Sequence, residues 1–307
     1  MSQQDAAACS TWFNESVAVR RRTDLSVLNV TGEDSRTWLN GQISNDVRQT
    51  SEGDAVYALV LNVRGKILAD VWALDRGGSF SLLVPSSAVD TLIAHLEQYV
   101  IMEDVTLTHA PEIAVISVQG PRSRDLLKDN GMPVFACDEL GGGGFHTLTN
   151  EADVPTLLKK LSDSALTLGG GCVDEQAYEI ARVRRGVPRF GRDFDIQHYP
   201  QEAGLKQRGV SFNKGCYLGQ EVVCTLESRG KLSRKLVSLT FEGEAPAPGD
   251  ALLTESGDES GAITSVTTTP GEAHALGYVR RIHIEPRCSL RTNGSTTLSL
   301  VHVIGEP

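Results

Sequence analysis

One unit occurs twice in this chain. Leu25–Leu39 reads LSVLNVTGEDSRTWL and Ile113–Leu127 reads IAVISVQGPRSRDLL. Val27/Val115, Val30/Val118, Gly32/Gly120, Ser35/Ser123, Arg36/Arg124 and Leu39/Leu127 match. Each copy is an apolar run of strand length, a glycine turn and the start of a helix. Used twice, it implies two related α+β halves; two copies at this spacing are too few and too far apart for a solenoid. The alternative is chance likeness, because glycine turns before helices are common.

Periodicity supplies the other elements. Val56–Asn62 and Ile67–Leu74 flank Val63-Arg64-Gly65-Lys66 and read as a hairpin. Phe80–Val84 is a short strand, and Ser86–Met102 has its apolar residues at helical spacing. The run Gly141–Gly144 reads as a flexible loop before a helix from Val154. Asp174–Arg185 reads as a helix stopped by Gly186, with Pro188 beyond it. From about residue 231 the character changes to short alternating runs at Lys235–Phe241, Ala251–Thr254, Gly261–Thr267, Ala273–Val279 and Thr297–Val303, separated by turns rich in Gly, Pro and acids. That pattern predicts a small β-barrel. The division is therefore 1–230, an α+β region of two halves, and 231–307, a barrel.

Composition narrows the function. With 40% hydrophobic and 22% charged residues among 307, the chain is globular. A formal charge of −10 argues against nucleic acid as a partner. No apolar run suits a bilayer and the N-terminus has no signal-peptide pattern, so a cytoplasmic location is expected, with no membrane partner. The six cysteines (9, 137, 172, 216, 224 and 288) are scattered without a CxxC pair, and the seven histidines form no ligand pair, so reduced thiols and no metal site are expected. Trp12, Trp38 and Trp72 read as core.

The densest cluster of special residues is Phe212–Glu221, FNKGCYLGQE. Gly215 and Gly219 allow close approach of a ligand. Lys214 supplies a charge that favours a Cys216 thiolate. Tyr217 offers a flat face, and Gln220 and Glu221 can read a donor–acceptor edge. The plain alternative is a turn around a buried cysteine.

The segment K-G-C-Y-x-G-Q-E resembles the signature of the YgfZ-type folate-binding proteins, relatives of the glycine cleavage T-protein, an aminomethyltransferase. Gly41-Gln42 with Asn45-Asp46, the hairpin LNVRGKILADV, Arg182-x-x-x-Gly186-x-Pro188 and Pro200–Leu205 are similar to further family segments. The resemblance implies two interlaced ferredoxin-like units and a barrel, with a tetrahydrofolate derivative bound where they meet. It implies an accessory role in assembly or repair of iron–sulfur clusters, with client or assembly proteins as partners and no defined reaction. Asp70 falls where T-proteins carry an acidic residue that works on the folate amine; an ordinary Asp–Arg pair is the alternative. Cys216, absent from T-proteins, favours the iron–sulfur branch.

The resemblance also implies catalytic roles for Cys216 and Asp70, and cofactor contacts from Lys214, Gly215, Tyr217, Gln220, Glu221, Glu202 and Arg182. Two departures stand out. Arg184 occupies the position of the Glu that holds the pterin edge in T-proteins, and a guanidinium has no acceptor; Glu202 is the nearest candidate substitute. Cys224-Thr225 replaces a usual Ala-Arg, and Cys224 is expected in the core of a strand, a second reactive cysteine being the alternative. The arginines at 182, 184, 185, 189 and 192 are expected to form a solvated helix end, or else to attract a folate tail. Two other readings stay open: a folate-dependent aminomethyltransferase using Asp70, and an interaction module that has lost folate.

Overall fold

The computed structural model describes residues 3–128, 132–230, 232–284, 289–293 and 296–306. Lys231 and Cys288 lie outside the described residues. The repeated unit has the same local structure in both copies. Strand Leu25–Thr31 leads into helix Ser35–Gln42, and strand Ile113–Gln119 into helix Ser123–Leu127. Gly32 has φ +110° and Gly120 φ +115°. A Cβ at these positions would come within 2.0 Å of the Asp104 carbonyl oxygen and 2.6 Å of the Ser16 carbonyl oxygen. Both turns therefore require glycine, for backbone angle and for space.

Each copy sits inside its own five-stranded sheet. The first runs Ala55–Leu61, Ile67–Asp75, Phe80–Pro85, Leu25–Thr31, Thr106–His109, antiparallel throughout. With helices Ser35–Gln42 and Val89–Glu97 between its strands, it is a ferredoxin-like unit with one added edge strand. The second runs Gly171–Cys172, Ala18–Arg21, Ile113–Gln119, Gly144–Asn150, Val134–Ala136. Ala18–Arg21 is inserted between the outermost strand and Ile113–Gln119. It precedes the whole first sheet in the chain, so the backbone starts in one unit, builds the other, and returns. This is the interlacing.

The Gly141–Gly144 run differs from expectation. The Asp138 carboxylate accepts the backbone N–H groups of Leu140, Gly141 and Gly143 at 3.2, 2.7 and 2.9 Å. Gly144 then opens a strand. A side chain three residues upstream orders what composition suggested was loose.

In the first sheet the alternation of strand residues sends two sets of side chains to opposite faces. Ala58, Val60, Ala69 and Val71 pack with Leu39, Leu92 and Leu96 of the helices. Tyr57, Leu59 and Trp72 face the other way, toward Phe194, Ala203, Leu205 and Tyr217 of the long connection that follows helix Glu175–Arg184. Asp70 shares their parity.

The tail is a closed six-stranded barrel: Arg234–Glu242, Glu272–Arg280, Glu259–Thr269, Ala251–Thr254, Leu290–Arg291 and Thr297–Val303, antiparallel around the circuit. Five strands match the sequence expectation. Leu290–Arg291 is too short to produce an alternation. The barrel packs on the α+β region through Val183, Leu236, Leu276, Tyr278 and Ile304. Among the described residues no helix is long and apolar enough to cross a membrane.

Candidate functional site

Three distant motifs converge on the signature loop. Lys214 is buried, and its ammonium donates to the carbonyl oxygens of Asn40, Ile43 and Asn45 at 2.6, 2.7 and 2.7 Å. These carbonyls lie at the end of helix Ser35–Gln42, where the helix dipole favours a cation. The Leu218 N–H donates to the Gly41 carbonyl at 3.2 Å. A Cβ on Gly219 would lie 2.5 Å from the Asn62 carbonyl oxygen, and one on Gly65 would lie 2.9 Å from Val222 Cβ. The hairpin tip, the Gly41–Asp46 segment and the signature thus form one packed corner.

Lys214 therefore has a different task from the one its proximity to Cys216 suggested. Its three N–H groups hold the loop to the first α+β unit. Burial lowers its pKa to about 8, against three carbonyl acceptors that favour the charged form. Cys216 is a free, exposed thiol, and Gly215 beside it is exposed with open space around its Cα. Tyr217 is buried against the hairpin strands with its hydroxyl unpartnered among the described residues. Gln220 and Glu221 open the helix Gln220–Arg229, with Glu221 exposed. Cys224 is exposed on that helix, which corrects the expectation of a strand core.

Asp70 lies elsewhere, on a cavity between the two α+β units. The lining includes Tyr57, Asp70 and Trp72 from the first sheet, Glu139 from the second unit, Tyr178 from helix Glu175–Arg184, and Arg208. The Tyr57 hydroxyl donates to Asp70 Oδ2 at 3.0 Å. Burial raises the Asp70 carboxyl above the ordinary range, opposed by the Tyr57 hydrogen bond and the charges of Arg22 and Arg208. The Arg208 guanidinium lies 4.6 Å from the Tyr57 ring centroid and 5.3 Å from that of Trp72, and donates to the Asp138 and Glu139 carbonyls. It forms a flat, fixed wall. Trp72 is thus a cavity residue, whereas Trp38 is core as expected.

The carboxyl, phenol and guanidinium suit a ring that offers both donors and acceptors. The cavity measures about 60 Å³, well below the ~300 Å³ at which ligand pockets usually begin. A pterin ring fits the chemistry of this lining and requires the walls to open.

The remaining expected residues sit outside this cavity. Arg182 is fully buried; it donates to Glu179, to Asp193 Oδ2 at 2.7 Å, to the Val187 carbonyl and to Ser265 Oγ of the barrel. Glu202 is buried, accepts the Tyr199 N–H at 3.1 Å and faces Arg234 at 3.5 Å. Arg184 pairs with Glu272 of the barrel. The arginine stretch is not a solvated helix end. Arg185 donates to the Leu140 and Phe13 carbonyls, and Arg189 pairs with Asp24, Glu175 and Glu179. Only Arg192 is mostly exposed.

Sequence reading missed Tyr57, Tyr178, Arg208 and Glu139. Tyr57 lies thirteen residues before Asp70 in a paired strand, a register signal once the hairpin is drawn. Arg208 and Glu139 carry no local signal. Among the described residues no group of three or more His, Cys, Asp and Glu could hold a metal.

An α+β pair of interlaced ferredoxin-like units closed by a barrel defines the aminomethyltransferase fold class. The structure of glycine cleavage system aminomethyltransferase T from Bartonella henselae superposes with a TM-score of 0.85 at 20% identity, covering 98% of this chain and 89% of that one. Residues 4–138 match the GCVT N-terminal domain family. In sequence the chain is similar both to YgfZ proteins and to aminomethyltransferases. It is 24% identical to the tRNA-modifying protein YgfZ of Colwellia psychrerythraea over 75% of this chain and 74% of that one. It is 27% identical to the YgfZ of Klebsiella pneumoniae, covering 76% and 75%. With the aminomethyltransferase of Rubrobacter xylanophilus it shares 27%, covering 86% and 78%.

Proposed function

We propose that this protein binds tetrahydrofolate or a derivative between its two α+β units and uses the exposed Cys216 in an accessory role toward the assembly or repair of iron–sulfur clusters in client proteins. The observation that carries the folate part is Asp70: a carboxyl that accepts the Tyr57 hydroxyl, on an inter-unit cavity walled by Tyr57, Trp72 and Arg208. A carboxyl so raised can hold or release a proton near a ring nitrogen. When bound, the folate supplies an amine able to carry a one-carbon unit. Tyr57 would orient the carboxyl, and Arg208 and Trp72 would hold the ring.

The iron–sulfur part rests on Cys216, the residue that separates this chain from T-proteins in the signature. Its exposure suits transfer to or contact with another protein. Lys214 and Gly219 then act as positioning residues, tying the cysteine's loop to the first unit.

Titration with tetrahydrofolate, followed by intrinsic fluorescence, tests the reading. Of the three tryptophans, Trp72 alone lines the cavity, so a saturable change lost in Trp72→Phe is expected. No binding by calorimetry up to millimolar folate would overturn the folate part. For Cys216, complementation of a strain lacking the protein, with Cys216→Ala melting like wild type, separates a functional thiol from a packing one. Full complementation by that variant removes it from the function. A second reading, aminomethyl transfer, is favoured by Asp70 itself; production of methylene-folate from an aminomethyl donor, abolished by Asp70→Asn, would select it.

A further inference from the structure

A second cleft is larger than the inter-unit cavity. It lies at the seam between the barrel and the connection Gly191–His198, with a volume of about 410 Å³. Three guanidinium groups line it, from three segments: Arg192 of the connection, Arg234 at the start of the first barrel strand, and Arg280 at the end of Glu272–Arg280.

The placement of two of them is unusual. Arg234 and Arg280 are direct cross-strand partners in the barrel. Like charges directly opposite in an antiparallel pair destabilise a sheet. The repulsion has little local relief. Arg234 has Glu202 at 3.5 Å from its Nε, and among the described residues the Arg280 side chain has no hydrogen bond or ion pair. Among the described residues the Arg192 side chain pairs with Glu179 alone, at 3.5 Å. In a chain of net charge −10, three under-neutralised guanidiniums in one cleft call for a counter-anion.

The floor supports the same conclusion. The Tyr278 ring stacks on His198 at 4.6 Å, with the Arg234 guanidinium 4.9 Å from its centroid. Tyr278 is 95% buried by residue, and its hydroxyl has no hydrogen-bond partner among the described residues. A buried hydroxyl is normally satisfied, so an orphan beside a cleft is a donor waiting for an acceptor. Asp195, hydrogen-bonded to His198 at 2.8 Å, and Glu259 stand on the lining as well and oppose an anion, so the anion's place is beside the arginines and away from these carboxylates. Asp193 is neutralised by Arg182 and takes no part.

We propose that this seam is a second binding site, separate from the folate cavity, for a small ligand bearing a phosphate or a carboxylate. Its anion bridges Arg234 and Arg280, with Arg192 closing the side and Tyr278 donating from the floor. Guanidinium pairs bind either oxyanion through parallel N–H donors. Because the ligand touches both the barrel and the connection, it also ties the two together.

The test uses the full chain and two probes, inorganic phosphate and citrate, at constant ionic strength set with sodium chloride. Each is titrated by calorimetry and by thermal melting against wild type, Arg280→Gln, Arg234→Gln and Tyr278→Phe. Saturable binding of one probe, with a matching rise in melting temperature, is expected; whichever binds identifies the source of the anion. Arg280→Gln should weaken that binding at least tenfold while melting, without ligand, at or above wild type, because it removes the cross-strand repulsion. Tyr278→Phe should weaken binding several-fold. Equal binding in Arg280→Gln and wild type would overturn the proposal, as would stabilisation that chloride alone reproduces. If Arg234→Gln fails to fold, Arg280→Gln, on the exposed side, decides alone.

Discussion

Asp70 is half-buried and Lys214 buried, and their consequences for stability differ. The Asp70 carboxyl is raised by burial, so between the unfolded value and the raised one the folded state holds more protons, and stability falls as the pH rises through that window. At neutral pH the charge opposes folding. Asp70→Asn should therefore melt at or above wild type while binding tetrahydrofolate at least tenfold more weakly, a combination that scanning calorimetry and titration together reveal. Lys214 satisfies three main-chain carbonyls. Lys214→Met leaves them buried without donors, at ~1–3 kcal/mol for such unsatisfied groups, and chemical denaturation should show a loss of at least about 2 kcal/mol. Asp24 follows the opposite sign to Asp70. Despite burial, Arg22, Arg20 and Arg189 hold its carboxyl far below 3.8, so its stabilisation is full at neutral pH and is lost as the pH falls below about 4. Asp24→Asn should melt lower than wild type at pH 7, with the gap narrowing steadily as melts are repeated from pH 4 downward.

Among the elements, the hairpin and the signature helix are coupled through a contact that has no room for a side chain. Gly219 with φ +81° meets the Asn62 carbonyl, and Gly65 meets Val222. Gly219→Ala adds a left-handed strain of ~1–2 kcal/mol to a clash that the hairpin backbone cannot easily relieve. The expected outcome is a lowered melting temperature together with faster amide exchange at the tip, Asn62–Lys66, and along Gln220–Arg229. Loss of stability without altered exchange in the tip would mean that the two elements are not coupled. The same corner explains why the signature motif is rich in special residues. Glycine and lysine serve the joint, and Cys216 is left exposed at its edge.

For the molecule as a whole, the Arg182–Asp193 pair joins three parts. Arg182 belongs to helix Glu175–Arg184, Asp193 to the connection, and both meet Ser265 of the barrel, with Thr264 donating to Asp193 as well. Removing one partner of a buried ion pair costs ~3–5 kcal/mol because the other is left uncompensated. Arg182→Met should lower the melting temperature and also loosen the seam. Limited proteolysis near residue 230 should accelerate beyond what a surface variant of equal melting temperature shows.

The sequence was informative where chemistry and packing are local. Leu25–Leu39 and Ile113–Leu127 announced two related units because each strand, glycine turn and helix is formed by neighbours in the chain. The tail's alternation announced a barrel for the same reason, and K-G-C-Y-x-G-Q-E carried the relationship. Strand Ala18–Arg21 could not be foreseen: half of its four residues are arginines, and its place is set by Ile113–Gln119, nearly a hundred residues away. The cavity divided the expected site in the same manner. Asp70 was legible from the hairpin, but its companions Glu139 and Arg208 come from segments with no motif, and Arg182 and Glu202 turned out to serve the barrel seam. A short window of sequence encodes backbone preference and the parity of a strand. It does not encode which remote carbonyl or carboxylate will lie at the end of a long side chain, and that distance decides whether a lysine activates a thiol or holds a loop, and whether an arginine meets a ligand or a buried aspartate.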